Sequence, residues 1–146
     1  MIWLNLDMNS KSENALNFVN LLVPGSFDEA REWLAPNCSY NYSGKSLLGN
    51  EIIASFEDNH NKAKETFDGV EYLSGQIIKQ ESDTTTIEVK DKVSHKDQVH
   101  IYTDQLLVEC NEKIGHGSII KITHNPILEE KNKFKTFLEE VDTKWS

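Results

Sequence analysis

Three residues in the stretch HIYTDQ carry reactive side chains at alternate positions: His100, Tyr102 and Asp104. In an extended strand alternate side chains share a face, so a base, a phenol and a carboxylate stand in a row. The row is too long to act as one unit. At 3.3 Å per residue, His100 and Asp104 lie roughly 13 Å apart, beyond a direct pair or a shared metal ion. Tyr102 lies between them and can reach either. A better partner for Asp104 is the next strand candidate, SIIKITHNPI. If Cys110 pairs with Ser118 across the loop NEKIGHG, Asp104 faces His124. A register shift by two puts Ile122 there and leaves His124 as a diagonal neighbour, still within reach.

A His–Asp pair orients an imidazole and raises its basicity. With Tyr102 or a tyrosine of the first strand as proton donor, Asp104 and His124 suit proton abstraction next to a carbonyl, or a dehydration. The same pair would also serve as a buried hydrogen bond that satisfies two polar groups in a pocket wall. The remaining polar candidates have similar double readings. His60 follows Phe56 on a helical stripe, as a core or pocket-rim histidine. Tyr40 and Tyr42 share one strand face. Asp91 reads as a strand-end carboxylate in preference to a second pocket acid. His95 and His116 lie in turn-like contexts and are expected in solvent.

These side chains need elements to hold them. SKSENALNFVNLLVPG reads as a helix capped by Ser12, with Ala15, Phe18, Leu21 and Leu22 as its apolar stripe. SFDEAREWLAP is a second, short helix with Ser26 as cap and Pro36 as stop. NCSYNYSG is a first strand, and GNEIIASFEDNHNKAKETFDG a third helix. The period then changes from 3.6 to 2. VEYLSGQIIKQES, TTTIEVKDKVSH, DQVHIYTDQLLVEC and SIIKITHNPI are four strand candidates, joined by short turns that favour antiparallel neighbours. EEKNKFKTFLEEVDTKW closes the chain as a helix, with Phe134, Phe137, Leu138 and Val141 on its apolar side. Helices first and a strand meander after predict an α+β domain with helices on one face of a curved antiparallel sheet.

The chain has 146 residues, enough for one domain with a full core, read here as residues 1–146. Lys and Arg total 15 against 24 Asp and Glu, for a net charge of -9. That balance argues against nucleic acid and against an anionic membrane surface as partners. No apolar run approaches the ~20 residues that span a bilayer. The opening MIWLNLDMNS lacks the features of a signal peptide, so a cytoplasmic location is expected. Cys38 and Cys110 lack metal-type spacing and read as buried free thiols. No Gly-rich phosphate loop, His-Glu-x-x-His or nucleophile elbow is present, so neither a metal nor a cofactor is expected.

The order of elements, with FDEAREWLAPNCSYNY, LLGNEIIASFEDN, YTDQLLVE and GSIIKITHNPI, resembles the nuclear transport factor 2-like superfamily from Ala15 to Ile127. That group of α+β cones includes ketosteroid isomerases, polyketide cyclases and scytalone dehydratase. The resemblance implies a cystatin-like cone with an internal pocket, a small organic ligand and a homodimer formed through the sheet. It implies that the Asp104 face is the pocket face, with Tyr40, Tyr42, His60, His100, Leu106 and Ile122 as ligand-binding residues. His100 is expected at the pocket mouth or in solvent. Asp104 falls where ketosteroid isomerases place a protonated Asp. Their base position falls at Tyr40 to Tyr42, which holds no carboxylate, and the first helix holds no Tyr in ALNFVNLL. This mismatch argues against steroid isomerisation. The expected function is a pocket protein that acts as a cofactor-free isomerase, cyclase or dehydratase on a small carbonyl compound. The alternative is a non-catalytic binding or association module of the same fold.

Overall fold

The computed structural model describes residues 2–145, with side chains described from Ser10 onward. Four helices, α1 (Ile2–Leu22), α2 (Phe27–Trp33), α3 (Asn50–Thr66) and α4 (Leu128–Glu140), pack on a single seven-stranded sheet. Its strands are β1 (Leu34–Tyr42), β2 (Lys45–Leu48), β3 (Gly69–Tyr72), β4 (Gln76–Glu81), β5 (Thr84–His95), β6 (Gln98–Cys110) and β7 (Ile119–His124). The order across the sheet is β2-β1-β7-β6-β5-β3, and β4 also pairs with β5.

The α+β class and the curved sheet agree with the sequence reading, with corrections of detail. The sheet is mixed, because β1 runs parallel to β7. The chain between them passes through α3 and the whole meander, and so long a crossover allows the parallel pairing. A short strand, β2, was not foreseen. It follows a two-residue turn in which Ser43 and Gly44 both have positive φ, 50° and 78°, as a tight hairpin requires. The expected strand VEYLSGQIIKQES divides into β3 and β4, which pair with opposite halves of β5. The break includes Gly75. A Cβ there would stand 2.9 Å from Ile87, and the Gly75 N–H donates to Asn20 of α1. The absent side chain is what lets helix and sheet approach.

At the other end of the chain, α1 begins well before Ser12, which is therefore buried inside the helix and does not cap it. Ser26 does stand at the N-cap of α2, but without a side-chain capping bond. That helix ends at Trp33, so Pro36 lies in β1, where the pairing with β7 slips between Leu34 and Ser39. A bulge tolerates the missing N–H of proline and bends the strand. A second slip, between Glu109 and Cys110, interrupts the β6–β7 ladder and bypasses Ile120.

The main core lies between α1, α3 and the inner sheet face. Phe18, Leu22, Ile52, Ile53, Ile87 and Ile122 are fully buried there. A second cluster of Phe67, Val93, Phe137 and Val141 seats α4 across the sheet. Glu130 pins that helix further by accepting the backbone N–H of Thr103. Cys38 and Cys110 are buried and unpaired in the main core. Burial pushes the Cys38 thiol up to about 12, so it stays protonated. No helix among the described residues is long and apolar enough to cross a membrane.

Candidate active site

A cavity of about 550 Å³ opens between α3, α4 and the inner face of the sheet. Five strands build its wall. β1 supplies Tyr40 and Tyr42, β7 supplies His124, and β6 supplies Tyr102, Asp104 and Leu106. β5 adds Val89, Asp91 and Val93, and β3 adds Tyr72. Each set alternates along its strand, as a single face requires. Phe56 and His60 of α3 and Phe134 and Leu138 of α4 close the opposite side. The lining is mostly apolar with a few fixed polar groups, which is the general character of small-molecule pockets.

Asp104 and His124 meet in this wall. Nε2 of His124 lies 2.6 Å from Oδ2 of Asp104. The backbone sets His124 opposite Leu106, so the contact is diagonal, in a register different from both that were anticipated. Oδ1 of Asp104 accepts the N–H of Gln105 at 2.9 Å. Both carboxylate oxygens are therefore engaged, and the group is fixed. The Tyr42 ring leans on the imidazole, with centroids 5.1 Å apart. A carboxylate at Nε2 favours the tautomer with its proton there and leaves Nδ1 as the basic nitrogen.

Tyr102 stands two residues from Asp104 on the same face, against the ring of Phe134. Burial, and then the charge of Asp104, push its phenol up to about 12. Tyr40 is buried and stacked on Phe56 at 4.8 Å, and burial raises its pKa strongly. Both phenols stay protonated at neutral pH and can donate hydrogen bonds.

Asp91 is a pocket acid, contrary to the strand-end reading. β5 continues past it to His95, so Asp91 sits mid-strand, opposite Tyr102 on one side and Tyr72 on the other. Its Oδ1 is buried and has no partner within the protein. Burial, reinforced by the charge of Asp104, pushes this carboxyl up to about 7. It is therefore a mixture of acid and carboxylate near neutrality. Asp104 faces Val89 across the ladder, which makes the two carboxyl groups diagonal neighbours.

His60 also lines the cavity. Its ring stacks on Tyr72 at 4.9 Å and meets the edge of Phe27 at 5.5 Å. Its buried Nδ1 is without a partner, and burial lowers its pKa. Two expected lining residues stand elsewhere. Ile122 is fully buried in the main core, opposite Val108. His100 is neither at the mouth nor in solvent: it lies beneath α4, stacked on Phe137 at 5.1 Å and against Phe134 at 5.7 Å. His95 is also not in solvent, since it accepts the Asp68 N–H and packs on Phe67. His116 is exposed, with Glu32 3.1 Å away. Among the described residues, no group of His, Cys, Asp and Glu is placed to hold a metal ion.

Sequence reasoning missed Tyr72, Lys131 and Lys135, which also line the cavity. Alternation could have placed Tyr72 on the face of Val70. Nothing in the sequence shows that α4 folds over the mouth.

No family model matches the chain, and no curated protein matches it by sequence. Solved structures do match its architecture. A candidate polyketide cyclase from Xanthomonas campestris pv. campestris superposes with a TM-score of 0.62 at 12% identity, over 85% of this chain and 95% of that one. An LEH-like epoxide hydrolase of M. tuberculosis gives 0.59 at 13% identity, over 87% and 90%. PrhC from Penicillium brasilianum gives 0.63 at 10% identity, over 91% and 90%. At such identities the likeness is one of fold.

Proposed function

We propose that this chain, which has the nuclear transport factor 2-like fold, is a pocket enzyme that moves a proton on a small, mostly apolar carbonyl compound. The observation that carries the reading is the His124–Asp104 bond inside the cavity, 2.6 Å long and flanked by protonated phenols. Asp104 orients the imidazole, and Nδ1 of His124 takes a proton from the carbon next to the carbonyl. Negative charge then develops on the carbonyl oxygen. Asp91 in its acid form and the Tyr102 hydroxyl are the donors that would meet it. Return of the proton to another carbon completes an isomerisation. Attack of the enolate carbon on a second carbonyl gives a cyclisation, and loss of a β-hydroxyl as water gives a dehydration. All of these need only the chain's own side chains. The likeness to a candidate polyketide cyclase supports the class of chemistry by analogy of fold alone.

A ligand-holding module without turnover is the competing reading, and Tyr40 favours it. Where ketosteroid isomerases carry their base, this chain places a buried, neutral phenol stacked on Phe56. The reading also includes a homodimer through the outer sheet face, where Val99 and Ile101 are 58% and 48% exposed. Light scattering of the native chain and of Ile101→Lys tests that part separately.

The central experiment is a screen of small carbonyl compounds for binding and turnover, with Asp104→Asn and His124→Ala beside the native protein. Turnover that both variants lose while ligand stays bound supports the enzyme. Binding with equal or no turnover in all three proteins leaves the holding module. A cavity that takes no compound in the screen refutes both.

A further inference from the structure

We propose that the ligand of this cavity carries an anionic group, a carboxylate, which Lys131 and Lys135 of α4 hold at the mouth while an apolar body enters. The inference deepens the small-molecule reading given above and rests on it. Its starting point is a contrast among the lysines of one helix. Lys133 faces its own helix's acids, with Nζ 3.6 Å from Glu129 and 3.4 Å from Glu130. Glu130 is further engaged by the Thr103 N–H. Lys131 and Lys135 are four residues apart, share the other face, and line the cavity. Neither forms an ion pair among the described residues. A third cation, Lys62 of α3, lies 4.5 Å from the centroid of the Trp145 ring, which also lines the cavity.

The overall charge sharpens the contrast. The chain carries a net charge of -9, and Lys11, Lys79 and Lys90, like Lys133, have acids close by. Such a field repels an anion from most approaches. Lys131 and Lys135 set two cations, unpaired among the described residues, on the lining of this cavity against that field. The interior is the wrong place for a further negative charge, because burial, reinforced by the charge of Asp104, already pushes the Asp91 carboxyl up. An anion fits at the mouth only, with the neutral carbonyl end inside.

The test uses matched probes: 4-phenylbutanoate with its methyl ester, and 2-naphthylacetate with its methyl ester. Their affinities are measured by calorimetry at neutral pH and low salt on four proteins. These are the native chain, Lys131→Gln, the double variant Lys131→Gln/Lys135→Gln, and Lys133→Gln. All the substituted lysines are exposed, so folding is retained. The expected result is an acid bound roughly fivefold or more tightly than its ester, as two partly exposed ion pairs allow. The preference shrinks in the single variant, vanishes in the double variant and survives Lys133→Gln. Ester affinity stays constant throughout. Acid and ester bound alike by the native chain, or a preference that survives the double variant, overturns the anionic class and leaves the cavity reading standing. Failure of every probe to bind overturns both.

Discussion

His124 reaches diagonally across the β6–β7 ladder to Asp104: its backbone faces Leu106, yet Nε2 closes to 2.6 Å on Oδ2. With the other carboxylate oxygen tied to the Gln105 N–H, the pair has one arrangement. The nitrogen-15 shifts of His124 should therefore show a proton on Nε2 and a bare Nδ1. Asp104→Asn keeps the shape and removes the charge. It is expected to mix the tautomers and, in the enzyme reading, to lower turnover by roughly 10²–10⁴. Unchanged shifts in the variant would mean that Asp104 does not set the tautomer.

Asp91 imposes a pH dependence with a definite sign. Its folded pKa, about 7, stands above the unfolded value of about 3.9. Between those values the folded state holds the proton and the unfolded state does not. Stability contributed here is fully present below about pH 4 and falls as pH rises to about 7. Above that the loss is complete, of the order of a few kcal/mol. Asp91→Asn should remove this slope and stabilise the protein at pH 8, as read by urea unfolding at several pH values.

His100 contributes the opposite slope. It is wedged between β6 and the Phe134 and Phe137 rings of α4, with a buried Nε2 that has no partner. Burial lowers its pKa; Glu130 and Glu140 oppose that shift and Lys133 adds to it. The unfolded chain therefore binds the proton first, at about 6.5, so stability is present above that pH and declines as pH falls below it. In the native chain the two slopes partly cancel just below about pH 6.5. His100→Leu should expose the Asp91 slope, and Asp91→Asn the His100 slope. Hydrogen exchange of α4 amides below pH 6 should slow in His100→Leu.

Strand parity puts Tyr102, Asp104 and Leu106 on one face of β6, but Val99, Ile101 and Leu107 make the other face equally apolar, so it was the family resemblance that marked the Asp104 face as the inner one. The partnership with His124 was legible from parity. Its register was not, since the slip at Glu109 and Cys110 that bypasses Ile120 leaves no mark in the composition. Parity survived the error because the true register differs by two residues. Asp91 was misjudged because its surroundings are set by distant segments: Tyr72 on β3, Tyr102 on β6 and the overlying helices. His100 was misjudged for a related reason. Amphipathic spacing showed that α4 had an apolar side, with Phe134 and Phe137 on it, but not which part of the sheet it would cover.

Gly25 connects the backbone to the cavity wall, and a double-mutant cycle can measure the link. Its φ is +111°, which side chains rarely adopt, and a Cβ there would lie 3.0 Å from Cε1 of His60. Gly44 offers a control: its φ is +78° and a Cβ would meet nothing within 4 Å. Gly44→Ala should cost only backbone strain, about 1–2 kcal/mol. Gly25→Ala should cost more, because its Cβ also crowds the His60 ring, which stacks on Tyr72 at 4.9 Å. The ring contact is isolated by adding His60→Ala to each background. In the native background the second change loses the stacking. In the Gly25→Ala background it also relieves the clash, so the coupling should amount to about 0.5–3 kcal/mol. Additive losses in thermal unfolding would mean that the ring shifts freely and that Gly25 acts through its backbone alone.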